Sequence, residues 1–581
     1  MADASTIQTL RSPDLVTTSI LVDGEELSAE YQVLNIVVDK EVNRIPAARI
    51  VLLDGDPSKR TFEISERDLF IPGKEIEIKA GYHSDNETIF KGVVVKMSIK
   101  IRSGDSYLHV LCKDAAEKLT NGRKSRYFYD QADSDIIGMI ADGHGLEKDI
   151  DNTTVQHDEM VQYNVTDWDF CVVRAQANGK VVIVDDGKIS VKTPDTSQEE
   201  VETVTYGSTI LDLDAEMDAR DQAGSFKTTA WNVADQELKE TEADEPDVEM
   251  NGNVPFDKLS NAAGHDALEL KNGAAINDAE LQQWANAKAL FSRMAKVRGR
   301  VKFRGAAAVK PGKMLKLDGV GDRFNGKVFV SGVRHQIVNG GWTTDAQFGI
   351  DPEWFSEKNK INDLPAAGLL AAVHGLQVGI VTQIERDPEG EYRVLVNLPV
   401  IDDEEQGVWA RIATLDAGDN RGSFFRPETG DEVIVGFVND DPRDPVILGM
   451  MNSSAKPAPM EASDANNEKG FVTRSGMKLV FNDDKKSVVI ETPGGKRVMI
   501  DEEAGVVSLK DEHSNSVTLS SSGIRLSSGG DINIKASGDV KIKGNNVEVE
   551  AGIQLTAKGT TGAEFSATGI TVVKGALVQI N

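Results

Sequence analysis

Proline is absent from the last 88 residues of the chain (494–581), because Pro493 is the last of its 18 prolines. Tryptophan is absent from the same region, since all six tryptophans precede residue 410. A proline removes a hydrogen-bond donor from a β-ladder, so its absence permits uninterrupted strand pairing. A thin core has no room for an indole ring. Both absences therefore favour a narrow C-terminal region made of paired strands.

Cysteine is nearly absent as well, with only Cys112 and Cys171 in 581 residues. Two cysteines cannot build a disulfide framework, and both lie among apolar residues, so we expect two buried free thiols. No basic segment followed by an apolar core opens the chain, so we expect synthesis in the cytoplasm without a signal peptide. The most apolar window, residues 364–381, is interrupted by histidine, glycine and glutamine, which argues against a membrane span.

Positive charge is scarce relative to negative charge. The chain has 64 Lys and Arg against 94 Asp and Glu, which gives a formal net charge of −30. Binding to nucleic acid requires clustered Lys and Arg, so this balance predicts no nucleic-acid partner. A large net charge suits the solubility of a large particle.

Motifs that carry catalytic chemistry are also missing. The eight histidines are scattered singly, and no HExxH, HxH or CxxC spacing occurs, which argues against a metal site. No GxSxG nucleophile elbow is present. Acidic runs such as residues 402–405 are expected to be solvated loops rather than acid/base pairs. The sequence therefore predicts no catalytic, cofactor-binding or metal-binding residues and no enzyme activity.

Five regions follow one another along the chain. Residues 1–160 are rich in strands and include a short helix, residues 161–365 mix strands with helices, and residues 366–451 hold five short strands. Five such strands separated by Gly, Pro and Asp turns suit a small closed barrel of the oligonucleotide/oligosaccharide-binding (OB) type. Residues 452–470 form a linker without periodicity. Residues 471–581 form the last region.

Within the second region, two helices and one acidic stretch are predicted. The helices span residues 167–177 and 278–296, and each is preceded by a residue that can cap its first turn. The acidic stretch, residues 234–252, is expected to be a solvated loop, with a strip for binding a partner as the alternative.

The last region carries a repeat of very short strands. From residue 523 onward, units of the form apolar–polar–apolar begin 8, 8, 7 and 6 residues apart, with small or polar residues between them. The two apolar positions of a unit lie two residues apart, so they share one face of a strand. A repeat of this kind indicates a quasi-one-dimensional rod rather than a globule.

The rod needs a second source of apolar surface, because a strand of four or five residues cannot bury two side chains alone. A single-chain solenoid needs about 20 residues per level, whereas a unit of about eight supplies one strand and one corner. Three strands from three copies close a triangular prism, so we expect a homotrimer. The residues predicted for its core are Ile524, Leu526, Ile532, Ile534, Val540, Ile542, Val547, Val549, Ile553 and Leu555. The alternative is a monomeric β-solenoid, either an adhesin or a polysaccharide-active protein.

Longer motifs occur in the barrel and in the rod. They are WARIA (409–413), GSFFRP (422–427), GDEVIVGF (430–437) and DPRDPVILG (441–449) in the barrel, and SGMKLVF (475–481), ETPGG (491–495), IDEEAG (500–505) and SSGI (521–524) in the rod. Together with VQYNVTDWD (161–169), these motifs resemble the VgrG-like spike proteins of contractile injection systems, which include type VI secretion and extracellular phage-tail-like particles. The fold implied is mainly β with some α: phage-hub-like β-barrel domains, an OB-fold collar and a C-terminal intertwined triple-stranded β-helix.

This resemblance also implies partners and a mechanical role. The homotrimer would meet the tail tube, a hub adaptor and baseplate proteins at its N-terminal end, and a PAAR-like tip protein at its C-terminal end. Sheath contraction would drive the particle, together with any effector cargo, through a target envelope. The particle would be released from the producing cell or delivered into the target.

The C-terminal end is expected to bind the tip protein, because the exposed end of a prism is an unpaired sheet edge. The residues predicted for this surface are Ala576, Leu577, Val578, Ile580 and Asn581. Some relatives hold a metal at the tip through histidines, but the last histidine here is His513, so no tip metal is expected. An effector enzyme in the N-terminal half is a third alternative, which no motif supports and which the sequence leaves open.

Overall fold

Strands are the predominant secondary structure of the protein, and its computed structural model describes residues 15–580. The fold is mainly β with a smaller helical part, as predicted. The chain divides into one unit of Met1–Val373 with Asn439–Pro442 and a second unit of His374–Val438 with Arg443–Asn581. The boundaries of the five regions stay predictions.

The elements of the first unit alternate between runs of strands and single helices. The strands are β1 (Val16–Val22), β2 (Glu25–Glu26), β3 (Val33–Glu41), β4 (Ala47–Leu53), β5 (Glu75–Tyr82), β6 (Asp85–Ile101), β7 (Ser106–Lys113), β8 (Lys124–Ala132), β9 (Glu147–Ile150), β10 (Gln156–Val165), β11 (Val181–Asp185), β12 (Lys188–Lys192), β13 (Glu200–Thr205), β14 (Asp212–Met217), β15 (Ser225–Asn232), β16 (Glu237–Glu242), β17 (Ala267–Asn272), β18 (Val297–Arg304), β19 (Met314–Asp318), β20 (Gly326–Val338) and β21 (Gly341–Phe348). The helices are α1 (Asp133–Gly143), α2 (Asp167–Ala177), α3 (Phe256–Ala263), α4 (Asp278–Met294) and α5 (Phe355–Lys358).

Thirteen of these strands form one sheet, which starts with the first strands of the chain and is completed by the last strands of the unit. β3 pairs with β4 on one side and with β20 on the other. Along β7 every second side chain is buried, and Leu108, Val110 and Cys112 are at most 2% exposed. This alternation places these residues of β7 in one core with Phe70 and Phe90.

Both predicted helices are present with caps at their starts. α2 begins after Thr166, whose side-chain oxygen accepts a hydrogen bond from the Asp169 N–H at 3.0 Å. α4 begins after Asn277, whose side-chain oxygen accepts from the Glu280 N–H at 2.8 Å. Each cap satisfies one of the N–H groups that a helix leaves free in its first turn. α4 ends at Met294, slightly earlier than predicted.

The two cysteines are buried free thiols, as predicted. Cys112 lies in β7 and Cys171 lies in α2. Burial raises the pKa of the Cys112 thiol to about 12, and it also raises the pKa of the Cys171 thiol above its ordinary value. Neither residue therefore presents a reactive thiolate near neutral pH.

The prediction of a solvated loop over residues 234–252 is wrong for part of that stretch. β16 lies within it and pairs antiparallel with β15. Further along, the Arg293 side chain, which is 3% exposed, contacts the Glu245 carboxylate at 2.8 Å. β16 is at the edge of its three-stranded sheet, where charged side chains reach water while β15 supplies the backbone hydrogen bonds. Composition alone did not reveal this pairing.

The second unit starts with the predicted five-stranded closed barrel. Its strands, with a short hairpin between the third and the fourth, are β22 (Gln377–Gln383), β23 (Val394–Asn397), β24 (Val408–Ile412), β25 (Ala417–Gly418), β26 (Arg421–Gly422), β27 (Glu432–Phe437) and β28 (Pro445–Met450). The barrel closes in the order β22-β23-β24-β28-β27. Val394, Val396 and Val433 are fully buried in its core.

Seven further strands form a separate sheet in the second unit. They are β29 (Glu468–Val472), β30 (Lys478–Asn482), β31 (Ser487–Glu491), β32 (Arg497–Asp501), β33 (Val506–Lys510), β34 (Ser516–Ser520) and β35 (Gly523–Ser527). Each strand has five residues and pairs antiparallel with the next, so their order in the sheet is their order in the chain. We call this seven-stranded sheet the meander.

From β29 to β34, turns of five and four residues alternate, so two strands and two turns repeat every 19 residues; the last turn, 521–522, has two residues. The five-residue turns start at Thr473, Thr492 and Asp511. In each, the side-chain oxygen of the first residue accepts a hydrogen bond from the N–H four residues later, at 3.2, 3.3 and 2.8 Å. This local bond closes each turn and keeps the strands in register.

Residues 528–580 form no strand, which differs from the expected run of short strands to the end of the chain. All of these residues except Ser528 are exposed. The repeat units have the alternation of strands, but each of them needs another strand beside it for its backbone hydrogen bonds. Within the described part of one chain, no such partner lies beside them.

The 19-residue repeat generates a prediction about Ser514. Its φ is 68°, and the equivalent residues of the two preceding repeats are Gly476 with φ 84° and Gly495 with φ 87°. A β-carbon disfavours this left-handed conformation by about 1 kcal/mol. We expect Ser514→Gly to slow hydrogen exchange in peptides covering β33 and β34, and the matched change Gly495→Ser to accelerate it in β31 and β32. Faster exchange in Ser514→Gly would contradict this account of the turn.

Candidate subunit interface

The meander has one face made almost entirely of apolar side chains. In β30 the residues Leu479 and Phe481 lie on this face, and the pairing carries it across the sheet from strand to strand. Ile490, for example, lies opposite Leu479 on one side and Val498 on the other. The members of this apolar face are Phe471, Leu479, Phe481, Val488, Ile490, Val498, Ile500, Val507, Leu509, Val517, Leu519, Ile524 and Leu526.

Lys469 is the only polar side chain in register with these residues, and it contacts the Asp483 carboxylate at the edge of the sheet. The opposite face is mixed. It carries residues such as Glu491, Arg497 and Asp501. The meander therefore has one face that favours water and one that does not.

The large side chains of the apolar face are exposed in the described chain. Ile490 is 51% exposed, Leu509 is 53% exposed and Ile524 is 71% exposed. Soluble proteins rarely expose contiguous apolar patches larger than a few hundred Å² without a binding partner. A continuous surface of thirteen apolar side chains on seven strands therefore marks an interface.

The ten residues predicted for a trimer core are all exposed. Ile524 and Leu526 lie in β35 and belong to the apolar face. The other eight follow the meander, and their exposure runs from 55% for Ile532 to 102% for Ile553. Their role in a subunit core stays a prediction. The exposed apolar face of the meander adds candidate core residues on the N-terminal side of these ten.

Sequence reasoning missed the apolar face between residues 471 and 519. The signal was present, because each strand from β30 to β34 has two apolar residues two positions apart. It was hidden because the residue between them is itself apolar in β30, β31 and β32, where Val480, Val489 and Met499 stand. Three apolar residues in a row do not reveal which face of a strand is buried.

The predicted docking residues at the end of the chain are exposed as well. Leu577 is 84% exposed, Val578 is 48% exposed and Ile580 is 89% exposed. Ala576 is exposed next to them. Asn581 lies outside the described residues. These side chains thus continue the apolar character of residues 528–580, which we call the tail, to the last described residue.

Charge is distributed unevenly along the chain. Residues 468–581 contain 14 Lys and Arg and 14 Asp and Glu, so the whole net charge of −30 lies before residue 468. Within the meander, Lys496 donates to Glu512 at 2.6 Å, and this hydrogen bond holds the pKa of the Glu512 carboxyl below its usual range. The segment with the exposed apolar face is therefore the segment in which copies repel each other least.

Two other kinds of site were sought in the described residues. Between residues 15 and 580, no group of three or more His, Cys, Asp or Glu side chains is placed to hold a metal ion. No helix in that same range is long and apolar enough to cross a membrane.

Comparison with known protein families covers most of the chain. A family model described as the Alg8 N-terminal domain matches residues 12–339, which is more than half of the chain. The chain belongs to this family. A model described as the type VI secretion system/phage-baseplate injector OB domain matches residues 377–451, where the closed barrel lies. A model described as the phage baseplate V C-terminal trimerisation domain matches residues 487–552, which include β31 to β35.

Curated relatives of the chain are type VI secretion system spike proteins of Pseudomonas aeruginosa. The chain is 25% identical to VgrG1b over 452 residues, which cover 71% of this chain and 58% of that protein. It is 27% identical to VgrG1a over 201 residues, which cover 32% of this chain and 31% of that protein. The chain therefore spans less than two thirds of these relatives. The predicted resemblance to VgrG-like spike proteins is confirmed.

Solved structures with some similarity to this chain include a tail protein from Neisseria meningitidis MC58, with TM-score 0.44 and 16% identity over 58% of this chain and 98% of that chain. The E. coli c3393 protein, a component of the type VI secretion system, has TM-score 0.37 and 12% identity over 74% of this chain and 99% of that chain. Similarity at this level is too low to define the fold of this chain.

The two faces of β31 provide a matched pair of substitutions. Ile490 is on the apolar face, and its neighbour Val489 points to the opposite face. If the apolar face is an interface, Ile490→Asn should weaken self-association, because each buried Ile side chain contributes about 1.5–3 kcal/mol. Val489→Asn should leave association nearly unchanged. Sedimentation velocity over a range of concentrations measures both. Equal behaviour of the two variants would show that the apolar face does not join copies.

Proposed function

We propose that this chain is the central spike of a contractile injection particle and that three copies assemble through the apolar face of the meander. The observation that carries the proposal is the continuous face of thirteen apolar residues, ten of them exposed, followed by an apolar repeat that has no strand partner within the described chain. Burying these side chains between copies removes them from water and gives the tail the strand neighbours it needs.

Three copies fit better than one or two. Each repeat unit supplies one short strand and one corner, and a prism needs one strand for each of three sides. The match of residues 487–552 to a trimerisation domain supports the same number. A monomeric solenoid is disfavoured, because the meander runs as sequential antiparallel hairpins rather than as successive parallel coils.

The mechanical role follows from this assembly. A rod in which every layer is hydrogen-bonded to the next resists compression and can transmit force to a target envelope. The named relatives are spike proteins, which supports a structural role rather than catalysis for this chain.

In the particle, the N-terminal unit would meet the tail tube, a hub adaptor and baseplate proteins. The C-terminal end would carry the PAAR-like tip, with effector cargo attached to the assembly. The whole would be released from the producing cell or delivered into the target.

The oligomeric state tests the proposal directly. Light scattering on the purified full chain should report three times the mass of one chain, and the mass should persist at high salt because apolar burial holds the copies together. A monodisperse monomer would contradict the proposal.

The tip surface has its own test. Removal of residues 576–581 should abolish binding of a PAAR-repeat tip protein, because it removes Leu577, Val578 and Ile580 from the end of the rod. As the control, Lys574→Ala changes an exposed side chain just before this segment and should leave binding intact. Unchanged binding after the deletion would show that the tip protein docks elsewhere.

A further inference from the structure

The apolar face of the meander ends at β29, where its only member is Phe471. β29 is the edge strand of the sheet, so Phe471 has a cross-strand neighbour, Leu479, on one side only. Lys469, two residues earlier in the same strand, is polar and contacts the Asp483 carboxylate. Within the meander, the end of the apolar face is therefore covered from one direction only.

A side chain next to the barrel supplies further apolar surface at this end. The Phe425 ring stacks on the Phe471 ring, with ring centroids 5.2 Å apart and an angle of 15° between the planes. Phe425 belongs to the GSFFRP motif (422–427) and lies outside the apolar core of the barrel. Despite the stacking, Phe425 is 55% exposed and Phe471 is 46% exposed. The stacked pair therefore retains apolar surface for a further contact.

The segment that carries Phe425 is held in place from two sides. On the side of the meander, the Arg474 guanidinium donates to the Glu428 carboxylate at 2.8 Å. On the side of the barrel, Arg426 Nη2 donates to the carbonyl oxygens of Tyr392 and Arg393, each at 2.9 Å. These contacts keep the two rings stacked at the junction of the barrel and the meander.

The threefold assembly proposed above, on which this inference rests, determines where the stacked pairs lie. Rotation about a threefold axis changes neither the height of a residue along the axis nor its distance from the axis. The apolar faces of the three meanders are turned to that axis. The three copies of Phe471 then lie at one level and face one another, and each brings the Phe425 ring stacked beside it.

We propose that Phe425 and Phe471 of three copies form one aromatic layer that closes the apolar core at its barrel end. The partner that covers Phe425 is a second copy of this chain, so the subunit interface extends from the meander onto the barrel. Aromatic rings suit such a layer, because stacked rings attract each other beyond the effect of the area that they bury. The layer keeps water from the apolar side chains of the following strands.

Phe424, the neighbour of Phe425 in the chain, provides a matched control. It is 77% exposed, and the centre of its ring lies 5.9 Å from the Arg426 guanidinium. The two phenylalanines share a motif and a residue type, but the ring stacked on the apolar face is that of Phe425.

Thiol labelling of the full chain tests whether a second copy covers Phe425. Phe425→Cys in the trimer should react with a maleimide several-fold more slowly than Phe424→Cys, and the native Cys112 and Cys171 are buried. Adding Ile490→Asn, which weakens association, should restore fast labelling of Phe425→Cys. Equal labelling rates of the two cysteine variants in a trimeric sample would overturn the layer. Slow labelling that persists in monomers would assign the cover to the same chain and would overturn it as well.

Thermal unfolding provides a second measurement. Phe425→Ala should lower the melting temperature of the trimer by several degrees, because every copy loses a ring from the layer, whereas Phe424→Ala should change it little. An equal loss in both variants would contradict the layer. Light scattering on the unchanged chain separates the two proposals. A trimeric mass with fast labelling of Phe425→Cys rejects the layer alone, whereas a monomeric mass rejects both the trimer and the layer.

Discussion

One-sided burial of apolar side chains is the constraint on which the region from residue 468 onward depends. A strand of five residues can satisfy its backbone hydrogen bonds with its neighbours in the meander, yet it cannot also cover its own apolar face. Ile490, Leu509 and Ile524 are each more than half exposed although they belong to well-paired strands. Because apolar burial is worth about 25 cal/mol per Å², covering such a face between copies is strongly favourable. Backbone pairing is thus satisfied within one chain, whereas the apolar face of the meander is left uncovered by the chain that carries it.

The first unit resolves the same conflict within one chain. Its thirteen-stranded sheet pairs β3 with β20, so that strands separated by almost 300 residues enclose common cores. There, Phe70 and Phe90 are at most 1% exposed. Negative charge accumulates in the chain before residue 468, whereas residues 468–581 are neutral overall. The exposed apolar face therefore lies in the part of the sequence that carries no net charge, where repulsion between copies is smallest.

Local features of the fold were predictable from the sequence, because they depend on residues close to one another. The caps at Thr166 and Asn277 define where two helices start, and the turns between the five short strands indicate the closed barrel. β16 was not predictable, since its strand character comes from pairing with β15 rather than from its own acidic composition.

The apolar face between Phe471 and Leu519 was also missed. Val480, Val489 and Met499 conceal the alternation, and only the pairing of each strand with the next assigns them to the other face.

The sequence by itself determined that the end of the chain is repetitive, thin and dependent on an outside source of apolar surface. These properties follow from the two-residue spacing of Ile524 and Leu526 and from the absence of proline after Pro493. The tertiary structure alone decided where that dependence begins. A side chain's face depends on which residue lies opposite it in the sheet, and that register is set by turns closed through Thr473, Thr492 and Asp511. The exposed face can be traced across all seven strands of the meander only when this register is known.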